Sequence, residues 1–340
     1  MTGSGGPDPE DPAGALMQRL AGKWITQALA TAAELGLAEA LAEPADLETL
    51  ARTLECRPSS LLRLLRVLVG EGALHEQPDG RYALTPMGAQ LRADALGTLA
   101  RFVGSPSQWT PWTELTYAVR TGRSAFERVH GQPLFEYLAA HPEQARLYDE
   151  AVDAFTCQQA RALAARPALD GALTVVDVGG GRGTLLAELL RLRPQLRGIL
   201  FDRADVVEAA KARFRAEGLH ERCAFEAGDF FEAVPGGADV YVIKHVLHNW
   251  DDDKAEAIVR RCVEVMPASG RVFVVEAIRL PGNRRDGARM FDLEMLVLTG
   301  GGRERSKPEF RRLLSRAGLR LESTAQLSNG AWLMVGRPIR

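Results

Sequence analysis

Apolar side chains in the first half of the chain recur three and four positions apart, which is the spacing of amphipathic helices. The run over 15–29 is of this kind. Two shorter helices over 46–54 and 58–70 follow it, and a strand-turn-strand over 73–84 comes next. Helix, turn, helix and hairpin in this order outline a winged helix.

The pattern changes after Pro167, where short apolar runs alternate with helical segments. This alternation predicts an α/β fold with a parallel, doubly wound sheet. We therefore expect a flexible tail over 1–12, a mainly helical domain over 13–166 and an α/β domain over 167–340. The predicted strands cover 174–178, 198–201, 223–226, 239–243 and 271–276, and the predicted helices between them cover 184–192, 204–216 and 251–266.

The composition is that of an ordinary globular protein, with 340 residues of which 46% are hydrophobic and 25% are charged. A net charge of -2 argues against a constitutive nucleic-acid binder, which usually carries a basic surplus. The four cysteines form no C-x-x-C pair, so we expect neither a zinc knuckle nor a disulfide framework. The N-terminus lacks a secretion signal, and no apolar stretch approaches the roughly 18 residues of a membrane span. A cytoplasmic protein without a membrane partner is expected.

A glycine-rich turn follows the first predicted strand and opens a helix. Its pattern is D-x-G-x-G-x-G, formed by Asp177, Gly179, Gly181 and Gly183. A dinucleotide fingerprint would need Gly or Ala where Thr184 stands, which disfavours a nicotinamide oxidoreductase. Such a turn lets the backbone approach a ligand at the carboxyl end of a strand. The spacing resembles the S-adenosylmethionine loop of the Rossmann-like class I methyltransferases; a simple strand-to-helix turn is the alternative.

Acidic residues also follow the next two strands. Asp202 stands 19 residues after Gly183, where a carboxylate can accept both hydroxyls of a ribose, although it could equally cap the next helix. Asp229 is placed to bond an adenine amino group, with Phe230 over the ring face. Three such features on three consecutive strand ends predict a nucleoside cofactor.

The fourth predicted strand leads into K-x-x-x-H-x-W-x-D, in which the lysine is Lys244, the histidine is His248 and the tryptophan is Trp250. This motif resembles that of the small-molecule O-methyltransferases of plant phenolic and bacterial natural-product metabolism. The resemblance extends over roughly residues 14–338. It implies that His248 is the general base and that Lys244 and Trp250 contact S-adenosyl-L-methionine, which leaves as S-adenosyl-L-homocysteine.

The same resemblance assigns two acids to the base. Glu304 lies in the run G-G-R-E-R and Glu276 ends a predicted strand, and both are implied to hold His248 in place. The chemistry agrees, because neutral imidazole has a pKa close to the working pH and can take the proton of a hydroxyl group. A carboxylate on the other ring nitrogen fixes the tautomer. His245 and His248 could suggest a metal site, but they are not H-E-x-x-H and no third ligand is evident, so we expect no metal.

The front half raises a second class of function. Arg57, Arg63 and Arg66 on the second helix of the winged-helix outline could contact phosphates, as in a ligand-responsive DNA regulator. Neighbouring acids dilute this patch, and the leucines between the arginines suggest burial. The resemblance instead implies a dimerisation domain that forms an intertwined homodimer and supplies part of the substrate pocket, without nucleic acid.

Several apolar and polar residues are candidates for the acceptor pocket. By resemblance, Phe155 and Gln159 lie on a long helix that flanks the acceptor, and Met295 and Leu298 line it with an apolar wall suited to an aromatic ring. Trp109 belongs to an aromatic cluster ahead of the cofactor domain. Each of the apolar residues could instead be part of the core.

Together these observations predict an S-adenosylmethionine-dependent O-methyltransferase. Its acceptor would be a hydroxylated aromatic small molecule, and its setting would be antibiotic or other secondary-metabolite biosynthesis. The alternative in the same fold uses the cofactor without methylation, for hydroxylation or decarboxylation.

Overall fold

The computed structural model describes residues 11–283 and 286–339. The predicted flexible tail therefore lies outside the described residues except for its last two positions, and the first helix already begins at Pro12. In the described ranges, none of the helices combines the length and the apolarity that crossing a bilayer requires.

The α-helices are numbered in chain order. They are α1 (Pro12–Leu20), α2 (Gly22–Glu34), α3 (Leu37–Ala40), α4 (Leu47–Thr53), α5 (Pro58–Gly70), α6 (Gly97–Gly104), α7 (Pro106–Trp112), α8 (Leu115–Thr121), α9 (Ala125–His130), α10 (Leu134–Ala140), α11 (Pro142–Ala164), α12 (Thr184–Leu192), α13 (Ala204–Ala216), α14 (Asp252–Val265), α15 (Gly287–Leu298) and α16 (Lys307–Arg316).

The strands complete the set of regular elements. They are β1 (Leu74–Glu76), β2 (Tyr82–Leu84), β3 (Thr174–Val178), β4 (Arg197–Asp202), β5 (Cys223–Ala227), β6 (Val240–Lys244), β7 (Arg271–Arg279), β8 (Arg305–Ser306), β9 (Leu319–Gln326) and β10 (Ala331–Pro338).

The chain forms two compact units. One comprises the residues up to Trp109 together with Glu143–Ala154, and the other comprises Thr110–Pro142 together with the chain from Phe155 onward. Helical residues that precede Pro167 in the chain therefore belong to the same compact unit as the sheet. The domain boundary expected from the sequence at that proline stays a prediction.

The first unit contains the helix-turn-helix and hairpin that the sequence predicts. Asp46 caps α4 by accepting the Thr49 N–H at 2.8 Å, which satisfies one of the unpaired donors of a helix start. Leu61, Leu65 and Leu68 of α5 are buried in the core of this unit. The arginines of α5 point to solvent between them. The leucines thus serve the core, as their spacing predicts.

The second unit is built on a sheet with the strand order β5-β4-β3-β6-β7-β10-β9. The five strands β3 to β7 are parallel, as predicted. The prediction of a wholly parallel sheet is wrong, because β10 runs antiparallel to both of its neighbours. Only residues 327–330 join β9 to β10, and so short a connection permits a hairpin but no parallel crossover. The sheet is therefore mixed.

Apolar residues cover both faces of this sheet. Val175 and Val242 belong to the core cluster on one face, and Val176 and Ile243 belong to the cluster on the other. Burial on both faces explains why these strands read as continuous apolar runs in the sequence. It also leaves the strand ends as the places where polar side chains can gather.

Candidate active site

The order of strands in the described sheet reverses between β3 and β6. From β3 the chain passes outward to β4 and β5, and it returns on the other side of β3 with β6. Open α/β sheets bind ligands beyond the carboxyl ends of their strands at such a switch point. The glycine turn follows β3 and the histidine segment follows β6, so the two sequence motifs meet at one edge of the sheet.

The glycine turn packs directly against the histidine segment. Gly179 has φ +69°, and a Cβ atom on it would lie 2.9 Å from Cγ2 of Val246. The N–H of Gly181 donates to Oδ2 of Asp202 at 2.8 Å, and the N–H of Arg203 donates to Oδ1 at 2.7 Å. Asp202 therefore ties the turn to the end of β4. It does not cap α13, whose N-cap residue is Arg203.

Asp177 lies beneath the same turn and is buried. Burial raises the pKa of this carboxyl to about 7, against the opposing effect of the nearby Lys244 charge. Its Oδ2 atom has no hydrogen-bond partner among the described residues. A Cβ atom on Gly180 would approach that oxygen to 2.8 Å, so only glycine lets the turn cover it. A glycine cradle with an unpartnered buried acceptor suits a bound polar ligand such as the cofactor.

Aromatic side chains gather beside the glycine turn. The edge of Phe230 lies 3.6 Å from the position that a Cβ atom on Gly179 would take. Phe230 meets Trp250 edge-to-face with ring centroids 6.3 Å apart, and Phe231 meets Trp250 at 4.9 Å. Asp229 is exposed and accepts the Phe231 N–H at 2.8 Å. Phe230, which follows β5, thus reaches Trp250 in the segment that follows β6.

The three predicted catalytic residues form one cluster, in which the two acids are buried and His248 is half-buried. Nδ1 of His248 lies 2.8 Å from Oε2 of Glu276 and 3.4 Å from Oε1 of Glu304. The other oxygen of Glu276 accepts the N–H groups of Leu247 at 2.9 Å and of His248 at 3.3 Å. Glu276 thus holds both the ring and the backbone of the histidine.

Residues around Glu304 fix the backbone of the same histidine segment. A Cβ atom on Gly302 would lie only 2.5 Å from the carbonyl oxygen of His248, so glycine is required for this close approach. Arg305 is fully buried and donates to the carbonyl oxygens of Leu247 and Trp250, each at 2.8 Å. The run G-G-R-E-R therefore supplies both an acid for the ring and a clamp for the loop that carries it.

The two acids differ electrostatically. Burial would raise the pKa of Glu276, but the charge of His248 and the hydrogen bonds of the two histidines outweigh burial and hold it well below its usual range. Burial raises the pKa of Glu304 to about 8, and its Oε2 atom has no hydrogen-bond partner among the described residues. Burial would lower the pKa of His248, but the charge of Glu276 outweighs it and leaves the pKa raised. Glu276 is therefore the ionised partner of the imidazole at neutral pH.

A second histidine lies at this site, His245, which the sequence suggests only as a possible metal ligand. His245 has φ +52°, and its Nδ1 atom lies 3.4 Å from the same Glu276 oxygen. Its Nε2 atom lies 3.1 Å from Oε1 of Gln159, and its ring meets Phe155 edge-to-face at 5.8 Å. Lys244 donates to Thr156 at 3.0 Å. Phe155 and Gln159 thus contact His245, whose ring lies 5.4 Å from that of the predicted base His248 between centroids.

A group of three potential metal ligands exists at this site, contrary to the sequence-based interpretation that no third ligand is available. His245, His248 and Glu276 offer ligand atoms within 4.8 Å of one another. However, Nδ1 of His245 and Nδ1 of His248 both face the same oxygen, Oε2 of Glu276. This arrangement suits two imidazole N–H groups that share one carboxylate. A site without metal stays a prediction.

The predicted acceptor-lining residues lie on α15 or ahead of the sheet. Met295 and Leu298 are buried, and Asp292 on the same helix accepts the N–H of Glu304 at 2.8 Å. This bond ties α15 to the acid beside the base. Trp109 is the last residue before the chain first leaves its compact unit, and its contact with an acceptor stays a prediction.

A mixed, doubly wound sheet with a glycine cradle at its switch point defines a Rossmann-like class I methyltransferase domain. The family model of the O-methyltransferase domain matches residues 112–320, and the model of the O-methyltransferase dimerisation domain matches residues 17–94. The chain belongs to this O-methyltransferase family. The resemblance that the motifs suggest is confirmed.

Relatives of the chain act mainly in bacterial natural-product biosynthesis. A phenazine O-methyltransferase of Lysobacter antibioticus is 37% identical over 95% of this chain and 96% of its own. The mitomycin biosynthesis 6-O-methyltransferase of Streptomyces lavendulae is 38% identical over 92% and 90%. The aclacinomycin 10-hydroxylase of Streptomyces purpurascens is 34% identical over 91% and 84%, so relatives with other chemistry exist.

Solved structures agree over nearly the whole chain. The crystal structure of a protein called LaPhzM superposes with a TM-score of 0.89 at 37% identity and covers 97% of this chain and 100% of its own. A methyltransferase of calicheamicin biosynthesis, solved with S-adenosylhomocysteine bound, gives 0.85 at 35% identity and covers 98% and 100%. The protein thus has the fold of S-adenosylmethionine-dependent methyltransferases.

Proposed function

We propose that this protein transfers the methyl group of S-adenosyl-L-methionine to a hydroxyl group of an aromatic small molecule, in the biosynthesis of an antibiotic or related secondary metabolite. The observation that carries the proposal is the pair of the half-buried His248 and the buried Glu276, with 2.8 Å between Nδ1 and Oε2, at the switch point of the sheet. A hydroxyl oxygen must lose its proton to become a good nucleophile, and this pair is built to take it.

His248 acts as the general base through Nε2. Glu276 accepts from Nδ1, so the neutral ring carries its proton on Nδ1 and presents a lone pair at Nε2. When Nε2 takes the acceptor proton, the charge of Glu276 stabilises the imidazolium that forms. The three further contacts on this pair, from Glu304 and two backbone amides, keep the ring oriented.

The residues of the glycine turn and the neighbouring strand ends hold the cofactor. When bound, S-adenosyl-L-methionine supplies a methyl group already activated on a sulfonium. Gly179 and Gly181 provide the cradle, and Asp202 provides a carboxylate at the end of β4. Asp177 provides a buried carboxyl whose Oδ2 atom has no partner among the described residues. Asp229, Phe230, Lys244 and Trp250 complete the proposed contacts. No metal takes part in this proposal, because the imidazole and carboxylate perform the proton transfer.

The acceptor pocket combines apolar and polar residues. Met295 and Leu298 on α15 provide apolar surface, Phe155 an aromatic edge and Gln159 an amide beside His245. Such a lining suits a flat hydroxylated ring. We include Trp109 as an acceptor contact because it belongs to the aromatic cluster that precedes the cofactor domain in the sequence.

A homodimer is part of the proposal. The dimerisation-domain match overlaps α1, and Leu16, Met17, Leu20 and Trp24 are exposed at 58%, 61%, 60% and 62%. Four large apolar side chains on one short stretch favour cover by a second copy. Light scattering of the full chain measures the mass in solution directly. A monomer at micromolar concentration would contradict the proposed homodimer.

The reaction is tested with methyl-labelled cofactor and a panel of hydroxylated phenazines, naphthoates, benzoates and quinones. We expect label in at least one acceptor and a roughly 10²–10⁴-fold loss of turnover in His248→Ala, with cofactor affinity near normal. His220→Ala, an exposed histidine of the same compact unit, is the matched control and should retain full activity.

The alternative chemistry has a distinct product. A relative named as a hydroxylase favours testing it, although retention of His248 with Glu304 favours methylation. Mass spectrometry separates the two, because methylation adds a methyl group, whereas hydroxylation adds an oxygen and decarboxylation removes carbon dioxide. A product of the latter kinds, or full activity in His248→Ala, would overturn the proposal.

A further inference from the structure

The side chain of His245 has two polar partners and a strained backbone. Its φ of +52° is in the left-handed region, which is uncommon for residues other than glycine, although asparagine, aspartate and histidine are enriched there. Its N–H donates to the carbonyl of Val275 at 3.0 Å, and its carbonyl accepts from Asn249 at 3.3 Å. Both backbone groups are thus fixed. This conformation brings the ring to Glu276 and Gln159.

Both ring nitrogens of His245 face an oxygen: Nε2 lies 3.1 Å from Oε1 of Gln159, and Nδ1 lies 3.4 Å from Oε2 of Glu276. The amide of Gln159 can turn, but the carboxylate has no donor to offer. A carboxylate oxygen can only accept, so favourable contact with Oε2 of Glu276 at 3.4 Å requires the proton on Nδ1 of His245. Nε2 must then accept, and Gln159 can serve it, because rotation of its amide presents the NH2 group at the same place. Burial lowers the pKa of His245 to about 4, so the ring is neutral at working pH.

One carboxylate oxygen therefore faces two imidazole nitrogens. We propose that His245 is a positioning residue that shares the Glu276 carboxylate with His248 and so keeps the proton affinity of the base from rising too far. This inference rests on the proposed function, in which His248 is the base. A base that is too strong stays protonated at neutral pH and cannot accept the proton of the acceptor.

The direction of the effect follows from the groups that face His248. Glu276 from β7 and Glu304 from the segment before β8 raise its proton affinity, and Lys244 at the end of β6 lowers it. An N–H from His245 takes up part of the Glu276 charge, so its removal leaves more of that charge for His248. Removal also admits water, which favours the imidazolium. Glu276 itself stays in place, because its other oxygen is held by two backbone amides.

Two variants separate the hydrogen bond from the backbone conformation. His245→Gly removes the ring and relieves the left-handed strain, whereas His245→Asn keeps a short N–H donor in a residue that tolerates this conformation. We expect the pKa of His248 to rise by about 0.5–1 unit in the glycine variant and to return close to the wild-type value in the asparagine variant.

Histidine NMR of the full-length protein measures this pKa without any turnover. Labelled imidazole signals are titrated, and the signal of His248 is assigned by its loss in His248→Gln. The same spectra of the wild type report the tautomer of His245, for which we expect a proton on Nδ1 at pH 7. A proton on Nε2, a charged His245 ring, or an unchanged or lowered pKa of His248 in His245→Gly would overturn the inference.

Turnover distinguishes this inference from the proposed function. The midpoint at which kcat falls with falling pH should move to higher pH in His245→Gly, together with the pKa of His248 measured by NMR. Both should return close to the wild-type values in His245→Asn. If the pKa of His248 measured by NMR moves and the midpoint of the kcat profile does not, the sharing of Glu276 is supported and the assignment of His248 as the base fails. If neither moves although the wild-type midpoint depends on His248, the inference about His245 fails alone.

Discussion

Exchange of Glu276 for glutamine tests the core of the site with a minimal change of shape. In the native site Oε1 accepts two backbone N–H groups and Oε2 faces Nδ1 of His248. Glutamine has only one oxygen. Because two backbone donors hold that oxygen, its NH2 group faces Nδ1 and drives the proton of His248 to Nε2. The base then presents a donor where it should present a lone pair.

The size of the loss follows from this reversed tautomer. The corresponding change of carboxylate to amide costs a serine protease about 10⁴-fold in kcat. Glu304 lies 3.4 Å from Nδ1, and the Glu276 charge is one of the causes that raise its pKa, so loss of that charge lets Glu304 ionise more readily and partly replace the missing acid. We therefore expect Glu276→Gln to lower kcat by about 10²–10³-fold, which corresponds to about 3–4 kcal/mol.

Single-turnover transfer of labelled methyl measures this loss apart from product release. Cofactor affinity by calorimetry and the thermal midpoint serve as controls, since a folded variant with normal affinity isolates the proton transfer. A kcat within about threefold of the wild type in a folded, cofactor-binding variant would refute the reasoning that Glu276 sets the tautomer of the base.

Four further outcomes are expected. Glu304→Gln should cost less than about tenfold at pH 7, because burial already keeps this acid largely protonated, with its pKa raised to about 8; a loss equal to that of Glu276→Gln would contradict the distinction between the acids. The kcat of the wild type should fall with falling pH about a midpoint above 6.5, since the pKa of His248 is raised and only the neutral ring accepts a proton; a flat profile down to pH 6 would contradict this. Gly179→Ala should weaken cofactor binding by calorimetry at least about tenfold through the contact with Val246, and the added change Val246→Ala should recover part of it. Leu65→Ala should lower the free energy of unfolding in urea by about 2–5 kcal/mol, because this side chain is fully buried.

The sequence predicts the parallel strands and their ends because these are local features. A run such as 174–178 is apolar, bounded by turn residues and buried on both faces, so its pattern needs no knowledge of its neighbours. Strand β9 lacks this signal, since polar residues interrupt it at the edge of the sheet. Strand β10 begins with the apolar run A-W-L-M-V, but this run does not say in which direction the strand lies. Its place is decided only by the pairing of β10 with β7.

The site is less accessible to sequence reasoning because it depends on packing. His248 and Glu276 are 28 positions apart, and no periodicity says that β7 brings the acid under the ring. The family resemblance supplied that pair. Neither the left-handed backbone of His245 nor the difference between the two acids could be anticipated, since strain and burial arise from tertiary contacts.

The antiparallel strand β10 has a consequence for how the enzyme is made. It pairs with β7 directly beside the catalytic acid, with Trp332 opposite Glu276, yet this tryptophan is synthesised 56 positions later. At about 5–20 residues per second, β7 emerges roughly 3–11 s before its partner. During that interval the apolar segment V-F-V-V is an open edge that invites pairing with other chains. Slow translation of the last strands would therefore favour aggregation of the nascent protein over completion of its active site.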